Sequence, residues 1–277
     1  MGKPKDQEIP IEDTDAHYEK YRSKLKSYRT AQSLMTKQVI TTAPETRLDE
    51  VAKLMGEKHV GSVIVMQNEK PVGIVTERDL LSKVLAIGVS LKDRKAVDVM
   101  SSPLVQIPAR AKIKKVAQTM ISGNSRLGVF EEEAFVGIVT ASDLIKTLPQ
   151  VSEDELCIDD LMNKSLVLVD EEMPLRAIVD MLGRNRIGSV IVARKGEPFG
   201  IFTERDLFSH FLAVGRSLSA KVGPECSSPL ITVPAGTSVH RAAAMMAMKR
   251  IRHLPVVKGG EVVGIVTARD LAKVYAK

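Results

Sequence analysis

The chain has 277 residues, 44% hydrophobic and 27% charged, with no Trp and two Cys, enough for two domains cored by Val, Ile, Leu, Ala and Met. It has no apolar run of membrane-spanning length and no signal-peptide region, so a soluble cytoplasmic protein without membrane contact is expected; Cys157 and Cys226 lack the spacing of a metal site or disulfide framework. The formal charge of +6 is spread, with Lys and Arg mostly accompanied by Asp and Glu, which gives only a weak preference for anionic ligands.

Residues 1–33 change from acidic (Asp6 to Glu19) to basic (Lys20 to Arg29). Tyr18, Tyr21, Leu25 and Tyr28 recur at three- and four-residue spacing, which predicts one face of a helix capped by Thr14 or Asp15 and packed on the unit that follows. From 34 to 87 the pattern reads as a short strand at Val39-Ile40-Thr41, a turn at Ala43-Pro44, and a helix with Leu48, Val51, Ala52 and Met55 on one face. A strand at Gly61 to Val65, a polar turn, and a strand from Val72 to Val75 lead into Thr76 and a second helix. The order is strand-helix-strand-strand-helix, an α/β (α+β) unit with a parallel crossover and a hairpin. Residues 97–148 repeat it, Lys146 to Glu155 reads as a linker around Pro149, and 158–214 and 222–277 repeat it twice more.

The repeats are tied together by Gly73-Ile74-Val75-Thr76-Glu77-Arg78-Asp79-Leu80, whose aspartate returns as Asp143, Asp206 and Asp270 at periods of 64, 63 and 64. A longer period of 127 relates Gly61 to Val65 with Gly188 to Val192, so repeats one and two pair, as do three and four. A unit of this size has little core of its own, and pairing supplies the missing burial. The threonine can cap the following helix. A cap accounts for Thr or Asp singly, whereas both at a fixed spacing in four copies point to a ligand at the helix start, where free amides and the positive dipole end favour phosphate or ribose.

These features resemble the CBS domain (cystathionine β-synthase domain) family. The motifs are the fourfold Gly-apolar-apolar-apolar-Thr-x-x-Asp segment and the Met-to-Pro opening at Met35 to Pro44 and Met100 to Pro108. The resemblance implies two Bateman modules forming a flat disc, a layout similar to the γ subunit of AMP-activated protein kinase and its archaeal relatives. It further implies clefts for AMP, ADP or ATP, or alternatively S-adenosylmethionine. The implied phosphate and ribose contacts are Thr76 with Asp79, Thr140 with Asp143, Thr203 with Asp206, and Thr267 with Asp270. A basic residue before the middle strand would face phosphate: His59, Arg126, Arg186 and His253, with Arg252 adjoining the last. Adenine would lie near Val39, Ile40, Val105, Val167, Leu168 and Ile231. The third repeat departs from the pattern at Val169-Asp170, where a strand normally leads to Pro, and Ser142 replaces the Arg found at 78, 205 and 269.

The sequence contains no Gly-x-Ser-x-Gly, HExxH, P-loop or Cys/His metal spacing, so no enzyme is expected. The reading is a non-catalytic regulatory module that senses an adenine nucleotide and acts on an unidentified partner protein. A nucleic-acid-binding protein, suggested by Lys20 to Arg29 but disfavoured by the mixed charge, and a ligand-free scaffolding homodimer are the alternatives. Four repeats in one chain suffice to build the disc without a second copy.

Overall fold

The computed structural model describes residues 29–122, 125–147, 156–214 and 216–276; the helix expected at Tyr18 to Tyr28 and most of the linker lie outside them. Within each repeat the β-branched runs fold as an antiparallel hairpin. In the first repeat β2 (Ser62–Gln67) and β3 (Lys70–Thr76) turn through Asn68 and Glu69, both at positive φ (50° and 61°), a geometry that matches strand twist. The fourth repeat uses Gly259 and Gly260 for the same turn. The short β1 (Thr41–Thr42) pairs parallel to β2 after α2 (Leu48–Glu57), which buries Leu48, Val51, Ala52 and Met55. Repeat one closes with α3 (Glu77–Lys83); α1 (Ala31–Leu34) precedes it.

The other three repeats copy this order. Repeat two, led by α4 (Ala96–Val99), has β4 (Gln106–Pro108), α5 (Ile113–Ile121), β5 (Arg126–Glu131), β6 (Ala134–Thr140) and α6 (Ala141–Ile145). Repeat three has β7 (Leu168–Asp170), α7 (Leu175–Asn185), β8 (Ser189–Arg194), β9 (Glu197–Thr203) and α8 (Glu204–Asp206), which continues as a π-helical stretch, Leu207–Leu212. Repeat four has β10 (Val233–Pro234), α9 (Val239–Lys249), β11 (His253–Lys258), β12 (Glu261–Thr267) and α10 (Ala268–Ala272). Each sheet has three strands with the middle strand of the repeat at its centre. The opening strands start slightly later than expected, at Thr41 and Gln106, leaving Val39, Ile40 and Val105 just outside them. The third repeat's departure is harmless to the sheet: Asp170 pairs with Ala193 as Pro108 does with Phe130.

Pairing is reciprocal. The lead-in of repeat one crosses to repeat two, where Thr36 N–H donates to Ile138 O (2.8 Å) and Ile138 N–H returns a bond to Thr36 O (3.0 Å). Repeat two's lead-in does the same to repeat one through Ser101 and Ile74 (2.8 and 3.0 Å). Asn163 with Ile265, and Ser227 with Ile201, repeat the exchange in the second pair. The apolar contacts follow: Ala31 and Leu34 of α1 lie in the core of repeat two, and Ala96 and Val99 of α4 in that of repeat one. Leu34, assigned by the repeat pattern to repeat one, thus packs with its mate.

Helices join the two pairs. One continuous core links repeats one and three, from Leu80 and Leu81 to Leu182, Phe202 and Phe211. Close approach is set by Gly56 against Ala213 and, 127 residues apart in both members, Gly183 against Ala86. Repeats two and four are joined by Ile145 in the fourth core, Ala272 in the second, and the hydroxyls of Thr147 and Tyr275. Sheets within pairs and helices between them close a ring of four.

A β-carbon on Gly183 would stand 2.4 Å from the Ala86 β-carbon. In an exposed helix Gly→Ala stabilises by about 1 kcal/mol; here Gly183→Ala is expected to destabilise by about 1–3 kcal/mol through overpacking. Urea unfolding measures it, and the paired Ala86→Gly change should recover most of the loss.

Candidate functional site

At the N-terminus of each closing helix, Thr and Asp satisfy one another. Asp79 Oδ2 accepts from the Thr76 hydroxyl (2.6 Å) and amide (3.0 Å), and Asp79 N–H donates back to Thr76 Oγ1 (3.2 Å). The same reciprocal arrangement holds at Thr203–Asp206 and Thr267–Asp270, and at Thr140–Asp143 the carboxylate again accepts from the threonine amide and hydroxyl (3.0 and 2.7 Å). This corrects the sequence argument that a cap leaves the fixed spacing unexplained, because a capping box needs both residues at this separation. The second carboxylate oxygen is held by a lysine of the same helix or its extension: Lys83 on Asp79 (2.8 Å), Lys146 on Asp143 (2.8 Å) and Lys273 on Asp270 (2.7 Å). Asp206 meets Ser227 at 3.5 Å instead.

All four repeats border one central cavity of about 770 Å³, within the size range of small-molecule sites. It gathers Thr76, Asp79, Thr140, Asp143, Thr267 and Asp270, together with Val39, Ile40 and Val167. His59, Arg126, Arg186, Arg252 and His253 also line it. Val105 and Ile231 pack instead on the cores of repeats two and four, and Thr203 and Asp206 are not among the lining residues.

The strand register overturns the expected equivalence of the four basic residues. Arg126 pairs with Thr140 and His253 with Thr267, at the first position of the middle strand; their counterparts are Ser62 and Ser189. His59 and Arg186 lie three residues earlier, exposed and left-handed (φ 51° and 53°), where repeat four has Arg250 (φ 56°). Each candidate is followed by an apolar residue and then Gly or Pro (Val60-Gly61, Leu127-Gly128, Ile187-Gly188, Leu254-Pro255), which made the two positions look alike in sequence. The structure shows a division of labour: repeats two and four supply large side chains and repeats one and three supply glycines. A β-carbon on Gly61 would stand 3.0 Å from both Arg126 Nη2 and Arg252 Nη1, and one on Gly188 2.7 Å from His253 Nε2. Arg126 Nη2 donates to Gly61 O (3.0 Å).

Two residues missed by the sequence reading complete the centre. Glu77 and Glu204, each following its capping threonine, are buried. Arg252 Nη2 donates to Glu77 Oε2 (3.0 Å) and Arg78 Nε to Glu204 Oε1 (3.0 Å), ion pairs that join repeat four to one and repeat one to three. The signal was present: Glu follows Thr in repeats one and three, whereas Ala141 and Ala268 follow it in two and four. By the same twofold relation Arg205 should pair with Glu77, but Arg252 is already there, and repeat two has Ser125 at the position of Arg252. Among the described residues no acceptor lies within hydrogen-bonding reach of the buried Arg205 Nε.

This crowding sets the titration of the cluster. Burial, then Arg252 and Arg78, pushes His253 down to about 3, so the imidazole is neutral at physiological pH. Burial lowers Arg126 and Arg205, with Arg252 adding to both effects, and raises Glu204 against the opposing pull of Arg78. For a histidine depressed on folding, the unfolded chain binds the proton first. Stability is therefore complete above about pH 6.5 and falls as pH drops toward 3, by at most about 1.4 kcal/mol per pH unit. Denaturant unfolding between pH 7 and 4 should show this slope in the wild type and a shallower one in His253→Gln.

Four stretches, residues 31–86, 96–150, 158–213 and 222–277, match the CBS domain family. Among curated proteins, MK0525 of Methanopyrus kandleri is 32% identical over 40% of this chain and 58% of its own length. MJ1404 of Methanocaldococcus jannaschii is 25% identical over 88% of this chain and 61% of its own, so the matches span about three fifths of these relatives. Among solved structures, MJ1225 from the same organism superposes over 89% of this chain and 100% of its own with a TM-score of 0.76 at 20% identity. An uncharacterized conserved protein of Pyrococcus horikoshii superposes over 90% of this chain and 100% of its own, with a TM-score of 0.63 at 22% identity. With the family match covering most of its length and each matched stretch folding as one repeat of the ring, the chain belongs to the CBS domain family.

Proposed function

We propose that this CBS protein is a non-catalytic regulatory module that binds an adenosine nucleotide, AMP, ADP or ATP, in clefts opening on the central cavity and passes the ligand state to a partner protein. The observation that carries the reading is the convergence of Arg78, Arg126, Arg205 and Arg252 on one cavity bordered by all four repeats. Guanidinium is suited to phosphate because its planar fork donates two parallel hydrogen bonds. MJ1225, proposed in its structural description as an archaeal homologue of g-AMPK, shares the four-repeat fold. The same positive centre disfavours S-adenosylmethionine, whose sulfonium would add to the surplus charge.

Adenine would pack near Val39, Ile40 or Val167, and a ribose could exchange for the half-exposed lysines on Asp79, Asp143 or Asp270. Phosphate beside Arg126 and Arg252 would act on groups that bridge repeats. Occupancy would then bias how one pair sits against the other, and so alter the surface offered to a partner. Among the described residues no helix is long and apolar enough to cross a membrane. The inward-facing guanidinium cluster also gives a free duplex or single strand little to follow, which leaves nucleic acid as the weaker alternative.

Calorimetric titration of ligand-stripped protein with AMP, ADP, ATP and S-adenosylmethionine tests the reading. Saturable binding of at least one nucleotide is expected, and Arg126→Gln should weaken it by about tenfold or more, the value of a charge-assisted phosphate contact. Absence of binding by all three nucleotides at millimolar concentration would exclude it.

A further inference from the structure

The central charges do not balance. Four guanidiniums, of Arg78, Arg126, Arg205 and Arg252, face the ion-paired carboxylates of Glu77 and Glu204 and that of Asp206, which has no lysine beside it among the described residues and acts on Arg205, a formal surplus of +1. The remaining acids of the cavity, Asp79, Asp143 and Asp270, are matched by lysines beside them. His59, Arg186 and Arg269 stand at the exposed rim.

We propose that Glu77 and Glu204 are built-in counter-anions that set the centre's selectivity for a nucleotide presenting one phosphate over one presenting three. The proposal rests on the nucleotide reading above and deepens it. A phosphate monoester carries about −1.5 to −2 at neutral pH, which offsets the surplus and leaves the centre near neutrality while both ion pairs stay intact. Arg205, whose Nε has no acceptor among the described residues, is the guanidinium ready to receive it. A triphosphate brings roughly twice that charge. To be compensated it must draw Arg78 from Glu204 and Arg252 from Glu77, leaving two buried carboxylates beside the incoming phosphates. A buried charge that loses its partner is strongly destabilising.

The surrounding backbone is shaped to hold these pairs. A β-carbon on Gly61 would stand 2.8 Å from Glu77 Oε2, so any larger residue there would displace the carboxylate of the Glu77–Arg252 pair from its present position. Ala141 and Ala268 occupy the positions equivalent to the two glutamates in repeats two and four, which confines the acids to the repeats that share the continuous core. The glutamates are also close enough to oppose one another: Glu77 reinforces the effect of burial in raising Glu204.

The test is calorimetric titration of the ligand-stripped full chain with AMP and with ATP, at constant ionic strength, in wild type, Glu77→Gln, Glu204→Gln and the double variant. Each glutamine is expected to raise ATP affinity about tenfold while changing AMP affinity less than about threefold, as expected when one close like charge is removed. An AMP-to-ATP affinity ratio that stays within about twofold of wild type, in variants that bind, overturns this proposal alone. A wild type that binds neither nucleotide overturns it together with the nucleotide reading. Arg205→Gln leaves both ion pairs in place and is expected to weaken AMP about tenfold while the melting temperature holds or rises. An unchanged AMP affinity in that variant also overturns the proposal, whether or not the glutamine variants fold.

Discussion

A three-stranded sheet has two faces, and the helices of one strand-helix-strand-strand-helix unit cover only one of them. In the first pair the uncovered faces meet through Ile64, Ile74, Leu104 and Ile138, which form a cluster separate from either repeat's own core. The helical side is also incomplete, and it is completed by Ala96 and Val99 from the mate's lead-in and by Phe202, Phe208 and Phe211 from the opposite pair. Every repeat thus depends on its mate and on one repeat of the other module. Closing those dependencies in a ring creates a single place where all four repeats meet, and the cavity lies there.

At that meeting point the repeats are specialised. Repeats one and three contribute the glutamates and the glycines, while two and four contribute Arg126, Arg252 and His253, which lie over those glycines. The complementarity is steric as well as electrostatic, since a β-carbon at Gly61 or Gly188 would collide with the basic side chain that covers it. The fourfold symmetry of the motif is therefore reduced to twofold in the centre. Arg252 lowers it further by taking Glu77 and leaving Arg205 Nε without an acceptor among the described residues. A regulatory module gains from such asymmetry, because one ligand can meet unlike surroundings in clefts built from similar motifs.

The capping boxes bear on how the motif is interpreted. Thr76 and Asp79 are bound to each other, and Lys83 takes the remaining carboxylate oxygen. Their first role is to start a seven-residue helix at a defined angle to β3, which helps fix the position of Glu77 and Arg78 between them. Any ligand contact by the aspartate would be made in competition with its lysine.

The sequence by itself determined the number of repeats, their element order and their pairing, because period, alternation and capping chemistry are local and recur in four copies. Most of the residues it singled out border the cavity, though they make up less than half of the lining. It could not separate His59 and Arg186 from Arg126 and His253, since a shift of three residues between the end of a helix and the start of a strand leaves the apolar pattern almost unchanged. Nor could it show that Glu77 faces Arg252, 175 residues away, or that Glu204 faces Arg78. Those pairs exist only because helix packing between modules brings repeats one, three and four to one point. The tertiary structure alone decided which charges are buried together and which guanidinium was left over, because burial and partner choice depend on distances through space.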